Sequence, residues 1–338
     1  MQDKIINISG REVGGNAPCY IIAEVGINHM GNPELAWEMI DAAWSSGADA
    51  VKIQTFNTPE FLHPSHPCYK LDMDCQLSWE DELDLWNKAR KKGIVLFSTP
   101  EDHGSLEFIK KQKPPLIKVA AMDFDCKEHV QAVSKLGLPT ILSSGMSTLE
   151  ETLRTVRWVE EAGNTDSIVL HCVSLYPAPA KAMNLRAIQT LAGILSCPVG
   201  FSDHSQGIHI PLSAVALGAK VIEKHFTLDK KLEGPDQACS MDPAELSELK
   251  HQIRELESAL GHGRKEPAEE EIPPRLFKRR GVYAARNMKR GESITRKDVH
   301  FLAPSSVDST MYLWTDIKSS QLKCDIAKGE IITLDKVG

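Results

Sequence analysis

The sequence is poor in the features that would set it apart from ordinary globular proteins. Only 6% of its 338 residues are aromatic. No apolar run approaches the roughly 18–20 residues that a membrane-spanning helix needs, and the polar first 18 residues lack the apolar stretch of a secretory signal. None of the eight cysteines lies in a C-x-x-C pair, which disfavours a zinc ribbon and is typical of reduced thiols. These absences predict a cytoplasmic protein without a membrane segment.

Neither sign of charge is in large excess. The chain carries 39 Lys and Arg against 46 Asp and Glu, for a net charge of -7, so we expect no nucleic acid partner. A basic run without acidic residues lies between residues 275 and 290. Two interpretations of it stay open: a solvated surface, or a set of arginines of which one reaches over an anionic site.

Short apolar runs alternate with amphipathic stretches along the first 260 residues. The apolar runs predict strands at residues 20–26, 50–55, 94–99, 115–120, 139–144, 167–172, 198–202 and 220–226. The amphipathic stretches predict helices at residues 33–46, 79–92, 104–112, 127–136, 148–162, 184–195, 207–218 and 243–260. Strict alternation indicates a parallel sheet covered by helices, and eight such units favour a closed (β/α)8 TIM barrel.

The pattern changes after Leu260. Residues 263–278 are charged and rich in proline and predict a linker. Residues 279–338 contain two short strand-turn-strand patterns, with turns near 289–292 and 328–330, and predict a small β-rich domain. The predicted barrel then spans residues 1–262. Because so small a domain has few large apolar residues, we expect it to dock on its own barrel or on a partner's.

Almost every predicted barrel strand ends in polar or ionisable side chains, although its first half is apolar. The C-terminal ends of barrel strands form the mouth where active sites lie. The side chains at these ends are Glu24, Lys52, Gln54, Thr99, Lys118, Ser143, Ser144, Ser174, Tyr176, Ser202, His204, Glu223 and His225. Their concentration at the strand ends predicts an enzyme.

Two histidines, His204 and His225, end the seventh and eighth strands, which are neighbours in a barrel. A lone histidine at a strand end is more often a hydrogen-bonded structural residue. Two imidazoles from adjacent strands can instead meet at one divalent metal whose remaining ligands are carboxylate or water oxygens. We expect Mn2+ or a similar ion, with Mg2+ or Co2+ as alternatives, rather than structural zinc.

Lys52 and Lys118 are the main cationic candidates in the mouth. A buried lysine needs a partner, and a phosphate or carboxylate ligand is one that fits. A Schiff-base lysine and a structural ion pair with Glu24 are the alternatives. Glu24 could equally orient a substrate hydroxyl or transfer a proton. Asp236, in EGPDQ, is a further oxygen ligand or a solvated loop acid.

Eight motifs, in order, make the sequence recognisable. They are AEVGINHMGN, VKIQT, STPED, SSGM, LHCVSLYPAP with MNLRAI, GFSDHSQG, ALGAKVIEKHFTLDK and GPDQACSMDP. Together they resemble the sialic acid synthase (nonulosonate synthase) family over nearly the whole chain. Residues 279–338 resemble the antifreeze-like (SAF) domain of that family.

The resemblance implies a metal-dependent condensation of phosphoenolpyruvate with an N-acetylmannosamine-type aldose. The products would be a nine-carbon 2-keto-3-deoxy acid and phosphate. His204 and His225 match the family's metal ligands. Lys52, Thr99, Lys118 and Ser143 match its phosphoenolpyruvate site, and Glu24, Gln54, Tyr176 and Asp236 match positions near the sugar or the metal-bound water.

The resemblance also implies a domain-swapped homodimer in which the SAF domain of one subunit lends an arginine to the other's sugar pocket. Arg280 is the best match for that arginine, and Arg279 is second. The chain departs from the family pattern at Ala121, where serine is usual, and at Ser174, where some members have asparagine. Two alternatives to the synthase are another barrel carbon–carbon bond former, either a metal aldolase or a 3-deoxy-keto acid synthase using a phosphorylated sugar, and a non-catalytic carbohydrate-binding protein.

Overall fold

The structure, a computed structural model, describes residues 4–303 and 313–338. The chain divides into two compact units, of which the first ends at Gly261 and the second begins at His262. Within the described ranges, no helix is both long and apolar enough to cross a membrane.

The first unit is built around one parallel sheet. The strands of this unit are β1 (Ile6–Ile8), β2 (Arg11–Val13), β3 (Tyr20–Gly26), β4 (Ala50–Thr55), β5 (Leu96–Pro100), β6 (Ile117–Val119), β7 (Thr140–Ser143), β8 (Ser167–Cys172), β9 (Val199–Asp203) and β10 (Val221–His225). Strands β3 to β10 pair in the order β5-β4-β3-β10-β9-β8-β7-β6. Because β5 and β6, at the two ends of this order, pack against each other, the sheet forms a nearly closed barrel. The predicted (β/α)8 fold is confirmed.

Helices follow the barrel strands and cover them. They are α1 (Pro33–Ser45), α2 (Thr58–Phe61), α3 (Tyr69–Cys75), α4 (Trp79–Lys92), α5 (His103–Gln112), α6 (Lys127–Ser134), α7 (Leu149–Glu161), α8 (Arg186–Ile194), α9 (His209–Ala216) and α10 (Pro243–Leu260). The sequence specifies their ends: Asn32 caps α1 ahead of Pro33, and Thr148 with Glu151 forms a capping box on α7. Gly93 ends α4 at φ 72°, a left-handed conformation that favours glycine.

The barrel has two apolar layers. Alternate residues of the strands point inward, and the inner layer includes Tyr20, Phe97 and Leu170. The antiparallel hairpin β1–β2, which the sequence did not predict, adds Ile6 and Val13 to that inner layer. The outward residues form a second core against the helices. Because apolar residues fill both layers, the polar side chains of the strands lie toward the strand ends.

A second unpredicted feature lies between β4 and α4. Here the chain forms the short helices α2 and α3 before α4 begins. Ile27, Phe56 and Cys75 make a small apolar cluster there, with Phe61 and Leu71 packed against it. This α2–α3 segment follows the C-terminal end of β4 and therefore lies at the mouth of the barrel.

The second unit has its own apolar core. This unit contains α11 (Ile272–Lys278), β11 (Gly281–Ala284), β12 (Val299–Leu302) and α12 (Leu313–Ile317), and β11 pairs antiparallel with β12. Buried Val282, Ile294 and Ile332 belong to this core. Because α11 begins at Ile272, part of the predicted linker at residues 263–278 is helical. Its Pro-Pro pair falls in the first turn of α11, where proline needs no backbone hydrogen-bond donor.

Candidate active site

Glu24 and Lys52 are side by side on β3 and β4, where the strand register pairs them. Lys52 Nζ forms an ion pair with Glu24 and donates a hydrogen bond of 2.9 Å to Thr99 Oγ1 on β5. The second carboxylate oxygen of Glu24, Oε1, is buried and has no hydrogen-bond partner among the described residues. The ion pair between Lys52 and Glu24, which was one of the alternatives from the sequence, is present, and it leaves one carboxylate oxygen for a ligand.

Lys118 and Glu223 form a matching pair across the barrel. Lys118 Nζ on β6 contacts Glu223 on β10, and Ser202 Oγ donates to the same Glu223 oxygen over 2.9 Å. Glu223 Oε2 is again buried without a partner among the described residues. Two buried lysine–carboxylate pairs thus share the mouth.

Lys118 lies close enough to Lys52 for its charge to lower the pKa of Lys52. Burial, and next the charge of Lys118, lower the pKa of Lys52 to about 7. Burial favours the neutral form of Glu223, but Lys118 and Lys52 outweigh it and hold the pKa of Glu223 well below its ordinary value. An incoming dianion would stabilise both ammonium groups and relieve their repulsion. The pair is therefore suited to an anionic ligand.

His204 and His225 face each other with ring centroids 5.4 Å apart, and the Tyr176 ring lies 4.1 Å from that of His204. His204 Nδ1 is 2.9 Å from the Val173 carbonyl oxygen, so this nitrogen carries the proton when the ring is neutral and Nε2 is the lone-pair nitrogen. Burial lowers the pKa of both imidazoles, that of His225 well below its ordinary value. Neutral imidazoles are the form that binds a metal.

The donor set of these histidines fits a divalent metal with open positions. His225 Nδ1 is buried without a hydrogen-bond partner among the described residues, and Asp236 Oδ2 lies 3.8 Å from it. Burial, and next the charge of Asp72, raise the pKa of Asp236 to about 6. No group of three or more His, Cys, Asp or Glu side chains in the described ranges is arranged as a metal cluster. Two imidazoles would therefore leave the remaining coordination positions to water or substrate.

The predicted serines have different surroundings. Ser143 Oγ is buried without a partner in the described part of the chain, whereas Ser144 Oγ donates to the Leu170 carbonyl over 2.9 Å. The side chains of Ser174 and Ala121 lie against Gly145, at which an added Cβ would be 2.3 Å from Ser174 Oγ and 2.9 Å from Ala121 Cβ. The departure at position 121 thus lies beside the Ser143–Gly145 turn.

Gln54 belongs to the same site. A Cβ placed on Gly26, which has a φ of +53°, would lie 3.3 Å from Glu24 Oε1, 3.5 Å from His225 Cε1 and 3.6 Å from Gln54 Oε1. Gly26 therefore leaves the space around which these three side chains converge. Gln54, Tyr176, His225 and Asp236 also line one cavity of about 420 Å3.

Sequence reasoning missed an ion pair directly behind the histidines. Lys224 Nζ donates to Asp203 Oδ2 over 2.7 Å, and both side chains are fully buried. Asp203 also accepts hydrogen bonds from the backbone N–H and the hydroxyl of Ser205. Each charged residue precedes one of the histidines, His204 or His225, so the pair fixes both strand ends. Its signal in the sequence was a charged residue next to each histidine.

Arg280, the predicted contribution of a second subunit, lies in the second unit just before β11. It is exposed, and no described residue forms an ion pair with it. Arg279 precedes it and is the C-terminal cap residue of α11.

Comparisons of the chain with family models, with other sequences and with solved structures all indicate the same family. The NeuB family model matches residues 39–265, and the SAF domain model matches residues 279–338. An uncharacterized protein of Methanocaldococcus jannaschii is 41% identical over 98% of both chains. The N,N'-diacetyllegionaminic acid synthase of Legionella pneumophila is 36% identical over 97% of this chain and 99% of its own. A solved structure of N-acetylneuraminic acid synthetase from Leptospira borgpetersenii superposes with a TM-score of 0.76 at 38% identity, covering 81% of this chain and 96% of the other. The chain belongs to the NeuB family of nonulosonic acid synthases and carries a C-terminal SAF domain.

Proposed function

We propose that this enzyme condenses phosphoenolpyruvate with an N-acetylmannosamine-type aldose. The products are a nine-carbon 2-keto-3-deoxy acid and inorganic phosphate. The observation that carries the proposal is the sharing of one barrel mouth by two buried lysines and two histidines that face each other. The first pair suits an anionic donor, and the second suits a metal that binds an aldehyde oxygen.

Lys52 and Lys118 would bind the carboxylate and phosphate of phosphoenolpyruvate. Both lysines are buried, so the attraction between the charges is only weakly screened by water. Ser143 Oγ, which lacks a partner among the described residues, and Thr99 Oγ1 supply hydrogen bonds to the same anion. A bound dianion would keep Lys52 fully protonated despite its low pKa in the free protein.

His204 and His225 would hold a divalent metal, for which Mn2+ is our first choice and Mg2+ or Co2+ the alternatives. When bound, the metal supplies Lewis acidity that polarises the open-chain aldehyde. Tyr176 stacks against His204 and keeps its ring in place. Gln54 and Asp236 line the adjacent cavity, where they would orient the sugar.

Carbon 3 of phosphoenolpyruvate would attack the aldehyde carbon, whose C=O π bond breaks to give an alkoxide that takes up a proton from solvent, and carbon 2 would become an oxocarbenium centre. Water would then add at carbon 2, and the tetrahedral intermediate would lose phosphate. Glu24 Oε1 is buried and without a partner among the described residues, so it is suited to accept the proton of that water.

We also propose that the enzyme acts in the cytoplasm as a domain-swapped homodimer. Large apolar side chains are exposed on the loops that follow the barrel strands and at the start of α7: Met122, Met146, Leu149, Leu175 and Tyr176. Exposed apolar surface of this kind favours a protein contact. In the swapped arrangement, Arg280 of a second copy would complete the sugar site. Activity of Arg280→Ala below one tenth of wild type, with unchanged folding by circular dichroism, would support this role.

Phosphate release from phosphoenolpyruvate tests the reaction. The metal-stripped protein is incubated with N-acetylmannosamine, with and without Mn2+, and the product is detected by mass spectrometry. Phosphate release that needs both sugar and metal, with a nine-carbon keto acid, is the expected result. The 2,4-diacetamido-trideoxy hexoses are the second set of acceptors. Condensation without phosphate release would identify an aldolase, and inactivity with every acceptor would refute the proposal.

A further inference from the structure

The chain between β10 and α10 forms a loop, residues 227–240, that returns to the point where it leaves the barrel. A bridge between Phe226 and Met241 joins its two ends. Residues 231–235, in the middle of the loop, are exposed to solvent. They give little support to Asp236, which follows them, so the position of Asp236 depends on how the end of the loop is held.

The loop places Asp236 at the proposed reaction centre. Asp236 Oδ2 lies 3.8 Å from His225 Nδ1, and the residue lines the cavity of about 420 Å3 together with Gln54 and Tyr176. A small displacement of the loop would therefore move a carboxyl group within the acceptor site.

Asn28, on the turn after β3, ties the end of this loop to the barrel. Its fully buried amide nitrogen donates hydrogen bonds to the Phe226 carbonyl over 2.8 Å and to Ser240 Oγ over 2.9 Å. The Ser240 hydroxyl donates in turn to the Asp236 carbonyl over 2.7 Å. Gln237, which is also buried, donates from Nε2 to the Asn28 carbonyl over 3.0 Å. A continuous chain of hydrogen bonds therefore joins the barrel to the backbone of Asp236.

An asparagine side chain suits this position because one amide nitrogen carries two N–H donors. The Phe226 carbonyl can only accept, so the amide orientation with Nδ2 toward that carbonyl is fixed. Aspartate at position 28 would place a carboxylate oxygen against the carbonyl, and alanine would remove both donors.

We propose that Asn28 is a positioning residue for the acceptor sugar and acts through Asp236. Its hydrogen bonds to the 227–240 loop hold the Asp236 carboxyl group beside His225, where it would meet the sugar. The inference rests on the proposed function, because it assigns Asp236 to the acceptor of that reaction.

The test compares Asn28→Ala with Asn164→Ala in full-length enzyme with Mn2+ and phosphoenolpyruvate. Asn164 is the matched control, because it is buried and its amide also donates to one carbonyl and one hydroxyl, those of Leu138 and Thr140, over 2.9 and 3.0 Å. Thr140 begins β7, so these contacts lie at the end of the barrel opposite the mouth. The acceptor is N-acetylmannosamine or, where the wild type prefers it, a 2,4-diacetamido-trideoxy hexose.

Asn28→Ala is expected to raise KM for the acceptor roughly tenfold and to change KM for phosphoenolpyruvate less than about twofold, because the lost hydrogen bonds loosen the acceptor side of the site. Asn164→Ala should lower stability in urea to a similar extent but change both KM values less than about twofold. Ser240→Ala breaks the same chain at its second link while it leaves Asn28 in place. It should raise KM for the acceptor roughly threefold, and it serves as the test where Asn28→Ala does not fold.

A double-variant cycle shows whether Asn28 acts through Asp236. If the two residues work as one unit, kcat/KM for the acceptor in Asn28→Ala/Asp236→Asn is within about twofold of that in Asp236→Asn alone. If their roles are independent, the two losses multiply, and the inference is wrong.

The remaining outcomes separate this inference from the proposed function. Unchanged acceptor KM in Asn28→Ala and Ser240→Ala would overturn the inference while the synthase reaction stands. So would equal effects of Asn28→Ala and Asn164→Ala, or equal changes in the KM values of both substrates. Inactivity of the wild type with N-acetylmannosamine and with the diacetamido hexoses would overturn the proposed function, and the inference with it.

Discussion

Replacing Lys224 with methionine leaves Asp203 as a buried carboxylate without its counter-ion. Lys224 and Asp203 are 1% and 0% exposed, and their charged atoms are 2.7 Å apart. Breaking one partner of a buried pair typically costs about 3–5 kcal/mol. Asp203 keeps its hydrogen bonds from Ser205 N and Oγ, at 2.9 and 3.0 Å, so we expect the lower end of this range, about 3 kcal/mol.

The assay is urea unfolding at neutral pH, followed by tryptophan fluorescence. Lys70→Met is the control, because it breaks an exposed ion pair with Asp74 and should cost less than about 0.5 kcal/mol. In the double variant Asp203→Asn/Lys224→Met neither of these two positions carries a charge, and we expect it to recover about 2 kcal/mol. If Lys224→Met unfolds at the same urea concentration as Lys70→Met, the buried pair does not stabilise the barrel.

The same variants distinguish a role of the Lys224–Asp203 pair in folding stability from a role in positioning His204 and His225. The double variant should regain stability but have a low kcat for phosphate release, because the side-chain link between the strand ends of His204 and His225 is then lost and only the backbone pairing of β9 with β10 remains. Recovery of both properties together would show that the pair acts only on folding.

Three further predictions concern single groups. Burial raises the pKa of Glu82 from 4.5 to about 7. Between these pH values the Glu82 carboxyl is ionised in the unfolded chain but protonated in the folded protein. The free energy of unfolding therefore falls as pH rises through that window. Glu82→Gln should therefore be more stable than wild type by up to about 3 kcal/mol above pH 7 and not below pH 4, as measured by urea unfolding across pH; a constant difference would contradict this. His225→Ala should lose most activity and bind Mn2+ weakly by calorimetric titration, whereas full activity in metal-stripped buffer would refute the metal role. Gly145→Ala should raise KM for phosphoenolpyruvate, since its Cβ would lie 2.9 Å from Ala121 Cβ, while Gly193→Ala, with no atom within 4 Å of its Cβ, should leave KM unchanged.

The sequence predicted the barrel strands and their helices because they alternate along the first 260 residues, so that even the three-residue β6 could be recognised from its place between two helices. Strand β3 and helix α10 have the predicted bounds, and α1 begins at the predicted residue, Pro33. Strands β1 and β2 have three residues each, too few for an alternating pattern to be distinguished from a loop. The helices α2 and α3 have four and seven residues, and they were missed for the same reason.

The candidate site could be predicted in part. Strand-end position identified Lys52, Lys118 and both histidines as residues of one mouth, and the structure brings them together. It could not place Asp72 in the cavity beside Tyr176 and His225, because that depends on how the α2–α3 segment folds back over the barrel. Nor could it distinguish Ser143 from Ser144, adjacent hydroxyls of which only the second is used by the Leu170 carbonyl.

The pairing of β3 with β10 has a consequence for synthesis of the chain on the ribosome. Tyr20 pairs with Val221 and Glu24 with His225, so one of the two neighbours of the first barrel strand is synthesised about 200 residues after it. Until then the apolar edge of β3, with Ile21 and Ile22, is open to pairing with other chains. Such distant contacts also slow folding. A nascent chain that stops before His225 is therefore a substrate for chaperones or proteases, and the barrel closes only after its last strand has left the ribosome.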